Sequence, residues 1–171
     1  MEPQADTVSS KPDLVTELEK HFGKPSQAAF GSSVFLVPVA EQSKDLESKD
    51  LESAALEKYQ YFVGESWDRL GAQNWINGWA KVYSREPSSS LGILTELKSL
   101  TDREARQSAS LMLENTEDAE LANKALQVAF DSELIAELSI YKIGDCSAMS
   151  GILIAAKLQN LGNLILLLLL D

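Results

Sequence analysis

The residues able to do chemistry are few. The chain has one histidine, His21, and one cysteine, Cys146. A zinc centre built on His and Cys needs three or four ligands at suitable spacing, so no metal is expected. A Cys146–His21 pair would be a nucleophile and its base. However, the surrounding Gly144-Asp145-Cys146-Ser147-Ala148-Met149-Ser150 matches no nucleophile signature. Cys146 therefore reads as a partly buried turn cysteine, and His21 as a favourable cation near a helix C-terminus. Lys24-Pro25-Ser26 follows a lone glycine and makes no phosphate loop. The acidic run Glu114-Asn115-Thr116-Glu117-Asp118 lacks the glycine and the terminal glutamate of a calcium loop. Glu65, Glu137 and Asp145 are candidates for a carboxylate pair, but nothing in their spacing brings two of them together. No catalytic residue and no cofactor are expected.

The other chemistry-bearing segment runs from Gly64 to Arg85 and holds all three tryptophans, Trp67, Trp75 and Trp79. Aromatic walls suit apolar or sugar-like ligands, so these three, with Asp145, are the candidate ligand-binding residues. The alternative is a broken helix, or two short ones, with a packed aromatic face. Trp75, Ile76, Trp79, Val82 and Tyr83 fit one helical face. Gly64, Gly71 and Gly78 recur every seven residues, a stripe that would let another backbone approach.

The elements that must position these residues follow from periodicity. Residues 1–10 are polar and read as disordered; 11–171 reads as a single α+β domain. A helix begins near Pro12, capped by Ser10, with Asp13 at its positive end and Leu14, Val15, Leu18 and Phe22 on one face. Gly23 and Pro25 end it. Ser33 to Val39 is an apolar strand expected to be covered on both faces, with Pro38 arguing for an edge or strand end. The repeat Lys-Asp-Leu-Glu-Ser at 44–48 and 49–53 suggests an exposed linker or a solvated helix start; the helix then continues through Leu56, Tyr59 and Phe62. Leu91–Leu100 is a helix with Leu94 and Leu97 inward. Thr101-Asp102-Arg103-Glu104 reads as a capping box opening another helix, to about Asn115. Thr116 caps a further helix with Leu121, Ala122, Ala125 and Ala129 on one face, ending near Asp131.

The period then changes. Leu134, Ala136, Leu138 and Ile140 alternate with Glu133, Glu137 and Ser139, a half-buried strand over about 134–143. Gly144-Asp145 turns the chain into a strand over 151–158. Gln159–Asn163 is a hairpin-type link into a third, 164–170. Short links favour an antiparallel meander. The expectation is an α+β, sandwich-like fold in which this meander, joined by the 33–39 strand, packs against several helices. The leucine-rich last strand belongs in the interior of the sheet, because an exposed edge so apolar would invite aggregation.

Residues 136–156 resemble the C-terminal portion of the cyanobacterial nuclease A inhibitor family. The family pattern is a strand of the type Glu-Leu-x-Val-Tyr-x-Ile-Gly-acid, a short loop, and a strand opening near a glycine. Glu137, Leu138, Ile140, Tyr141, Ile143, Gly144 and Asp145 match it, and the preceding helix and the strand at Val34–Val37 fall in similar order. The resemblance implies an α/β/α sandwich and an inhibitory or binding role. Inhibition in the family uses an acidic residue before the early strand, together with the chain terminus. Residues 24–33 hold no Asp or Glu, so no inhibitory residue is carried over.

Charge narrows the partners. Fifteen Lys and Arg against 26 Asp and Glu leave a net charge of −11 over 171 residues. Such a chain repels nucleic-acid phosphates and attracts basic proteins. Lys157, Gln159, Asn160 and Asn163 interrupt the apolar C-terminal stretch, and the seven residues 164–170 would rise only about 10 Å as a helix, so no membrane span is expected. One cysteine and an N-terminus without basic or apolar leader regions suit the cytoplasm. The leading functional expectation is a non-catalytic acidic protein-binding module, an inhibitor or regulator of a basic partner. The alternatives are a small-ligand binder or enzyme with a pocket near the tryptophans, and a subunit or assembly factor of a larger complex.

Overall fold

The structure, a computed structural model, describes residues 13–27, 30–37, 51–86, 91–114, 118–159 and 163–171. Helix α1 (Asp13–Phe22) leads into strand β1 (Gly31–Val37), followed by α2 (Leu51–Val63), α3 (Ser66–Arg69), α4 (Ala72–Asn77) and β2 (Ala80–Ser84). Helices α5 (Ile93–Lys98), α6 (Arg103–Glu114) and α7 (Ala119–Phe130) come next, then β3 (Ile135–Gly144), β4 (Ser150–Leu158) and β5 (Leu164–Leu170). The strands form one sheet in the order β1-β5-β4-β3-β2, antiparallel throughout. The expected meander is present, and β1 joins it at the edge, beside β5. The stretch 1–10 expected to be disordered, the expected caps Ser10 and Thr116, and the first copy of the pentapeptide repeat lie outside the described residues.

The sheet is covered on both faces, and strand alternation sorts its side chains. Val34, Leu138, Ile140, Ile152, Ile154, Ile165 and Leu167 face a layer made by α1, α5, α6 and α7. Phe35, Tyr141, Ile143, Leu153, Leu164, Leu166, Leu168 and Leu170 face the opposite layer, made by α2, α3 and α4. Strand β5 is paired along its whole length on both sides, which satisfies its backbone and buries its leucines. A run of leucines cannot set its own register, since a slip of two residues would present the same side chains. Gly151 sets it instead. A Cβ there would collide with the Leu169 carbonyl oxygen, and Ser150 and Asp171 exchange backbone hydrogen bonds of 3.0 and 2.9 Å beside it.

Several expectations change. Val82 and Tyr83 lie on a strand, β2, and not on a helix with Trp75 and Trp79. Their helical spacing hid a short edge strand whose residues are all exposed or half-buried. Strand β3 is not half-buried: from Leu138 to Ile143 nearly every side chain is covered, Ser139 included. A register shift between Ile135 and Glu137 changes its phase, so Leu134 and Ala136 face outward and Ile135 packs inward. On α7, Leu121 is exposed, while Leu126 and Phe130 join the alanines in the core. The cap of α6 is Asp102, one residue later than the expected Thr101: its Oδ1 accepts the Ala105 N–H at 2.9 Å.

Candidate functional site

The tryptophan segment folds as two short helices and a strand against the sheet. Gly64, Gly71 and Gly78 each follow a helix; of the three, only Gly78 meets another backbone. A Cβ on it would collide with the Gly144 carbonyl oxygen. This contact seats the α4–β2 junction directly on the turn between β3 and β4. Tyr59, from the middle of α2, fastens the same point. Its Oη accepts the Gly144 N–H at 3.0 Å and lies 3.0 Å from the Gly144 carbonyl and 3.1 Å from that of Trp75. Burial pushes its hydroxyl pKa well above the ordinary tyrosine value, so the ring stays neutral.

The indoles gather around this tyrosine. Trp67 and Trp75 stack at 6.4 Å, and Trp79 stacks between Tyr141 at 4.5 Å and Tyr59 at 5.4 Å. Two of the polar ends are satisfied internally. Trp75 Nε1 donates to the Ser66 carbonyl at 3.0 Å and Trp79 Nε1 to Glu52 at 2.9 Å. Trp75 is fully buried, Trp67 nearly so and Trp79 half-buried. The cluster is thus a packed aromatic layer. Trp67 also lines an open groove.

Asp145 is brought to this end of the molecule, next to Gly144, but its carboxylate shapes the turn. Oδ1 accepts the N–H groups of Ser147 at 2.9 Å and Met149 at 3.0 Å. The next residue, Cys146, is exposed, contrary to its expected partial burial. Its φ is +67°, and its thiol donates to the Asn74 carbonyl at 3.4 Å. His21 lies on α1 in the opposite layer, so the two do not form a pair. A cleft of about 360 Å³ opens beneath this turn, lined by Cys146, Ser147, Asn77, Glu104 and Lys142. The lysine is held there by Asp102 at 3.2 Å and Glu104 at 3.4 Å. Its hydrogen bond to Asp102 raises its pKa. Partial burial would raise the Asp102 carboxyl, but the Ala105 N–H and Lys142 outweigh it and hold it low.

A second cluster escaped the sequence reading. The Glu96 side chain is fully buried and takes the Arg85 guanidinium bidentately, at 2.8 and 2.5 Å, and the Tyr83 hydroxyl at 2.6 Å. Arg85 also donates to the Phe130 carbonyl at 2.7 Å and to Asp131 at 3.2 Å. Asp131 in turn accepts the Ile93 N–H at 2.8 Å. Burial, then the Glu96 bond, push the Tyr83 hydroxyl up to about 12. Burial likewise raises the Asp131 carboxyl, partly offset by Ile93 and Arg85. This cluster ties β2, α5 and the end of α7 together. Four residues, Tyr83, Arg85, Glu96 and Asp131, spread over nearly fifty positions give no local motif, and a lone Glu in the apolar run Ile93–Leu97 is the one signal that was there.

An acidic groove lies between α2 and α3. Among the described residues this groove, about 380 Å³, is lined by Glu57 and Asp68, the amides Gln27 and Gln60, Tyr61, Gly64 and Trp67. Lys58, next to it on α2, turns toward the rings of Phe35 and Tyr61, 5.8 Å from each. Among the described residues, no group of three or more His, Cys, Asp or Glu is placed to hold a metal ion. None of the described helices is long and apolar enough to cross a membrane. Set against family models, curated proteins and solved structures, the chain has no match.

Proposed function

We propose that this chain is a non-catalytic binding module that captures a basic protein partner and inhibits or regulates it. The observation that carries the reading is the lining of the α2–α3 groove, where the Asp68 carboxylate stands with two amides and two aromatic rings among the described residues. A lysine or arginine side chain suits such a surface, since its head pairs with carboxylate and its stem or guanidinium lies on aromatic carbon.

The distribution of charge supports it. Many of the described cations are engaged within the fold. Arg85 and Lys142 are ion-paired, and Arg69 and Arg106 donate to Ser66 and Leu100. Lys58 and Lys81 lie over aromatic rings. The net charge of −11 therefore weighs on the exterior, where it steers a basic partner inward. The resemblance of residues 136–156 to nuclease A inhibitors supports the inhibitory form, as does a sheet with helices on both faces, the architecture that resemblance implies. A cytoplasmic location belongs to the same proposal and rests on the single cysteine.

The test uses synthetic Lys/Arg-rich peptides and Asp/Glu-rich counterparts, followed by backbone amide shifts. Basic peptides should perturb residues around Glu57 and Asp68, and binding should weaken as the Debye length shrinks from about 30 to about 8 Å with added salt. The double reversal Glu57→Lys/Asp68→Lys should abolish binding, while reversal of the exposed Glu137 on β3 should spare it. Equal loss from both variants, or shifts scattered over the whole surface, would reduce the effect to bulk charge and sink the proposal.

A further inference from the structure

We draw no further inference here: the strongest candidate, the cleft under the β3–β4 turn where Cys146 is exposed beside Ser147 and Lys142, rests on a lone cysteine, and nothing in the structure shows what would occupy it.

Discussion

The two faces of the sheet are held by different physics. On the α2–α3–α4 face the core is aromatic, and its polar atoms do the fastening. Tyr59 and Trp75 each combine a large buried ring with a hydrogen bond to backbone, Tyr59 to Gly144 across 85 positions and Trp75 to Ser66 across nine. On the α1–α5–α6–α7 face the helices approach through small residues, Ala105, Ala109, Ala122, Ala125 and Ala129. An ionic knot, Arg85–Glu96–Asp131, ties the margin of that layer to β2, and Lys142 of β3 pairs with Asp102 and Glu104 at the start of α6. One face thus spreads its specificity over several neutral contacts. The other relies on charged clusters, and in the one around the buried Glu96 loss of a partner strands a buried charge.

Mutations should separate the two. Trp75→Ala removes the largest fully buried side chain and should cost about 3–5 kcal/mol. Chemical denaturation would measure the loss. Hydrogen exchange should show α3, α4 and the β3–β4 turn opening first, with α7 still protected. Glu96→Ala should cost about 3 kcal/mol, because Arg85 is left partly buried without its carboxylate. Here exchange should rise in β2 and α5 instead. If both variants open the same segments, the faces are not independent and the contrast fails. Tyr59→Phe keeps the ring but drops the Oη bonds to Gly144 and Trp75, and should cost about 1–2 kcal/mol in the same denaturation assay.

The smallest effect is a pH dependence. The folded-state pKa of Tyr83 is raised to about 12, against an ordinary value of about 10. The folded chain therefore holds this proton more tightly. The stabilisation is complete below about pH 10 and is lost as pH rises toward 12. A series of melting curves across that window should show a decline that is shallower in Tyr83→Phe. An unchanged slope would mean that the Tyr83–Glu96 bond contributes nothing to the knot.

Most of the architecture was legible because it follows from local pattern. The apolar runs at 33–39 and 164–170 announced strands covered on both faces, which lie at Gly31–Val37 and Leu164–Leu170 with residues 38 and 39 outside the described ones, and short links announced the meander. Strand β2 was not legible. Its residues carry no period-2 burial, and Val82 and Tyr83 happen to continue the helical spacing of Trp75 and Trp79. The bulge at Ile135–Glu137 was also hidden, since one extra residue leaves no composition cue while it turns Leu134 outward. Of the candidate site residues, Asp145 and the tryptophans do converge on one end of the molecule. The sequence could not show that Tyr59 and Gly144 hold them there as packing, because those contacts join residues 85 positions apart. The α2–α3 groove was missed for a similar reason: Gln27, Glu57 and Asp68 come from three separate segments.

The pairing of Gly31–Val37 with Leu164–Leu170 has a consequence for biosynthesis. The first strand emerges from the ribosome well over a hundred residues before the strand it pairs with. Until then, its apolar side chains and open edge are available to any passing chain, and the aliphatic layer has nothing to close upon. Productive folding must therefore wait for the leucine segment to be translated, and a nascent chain stalled before it would be a natural client for chaperones.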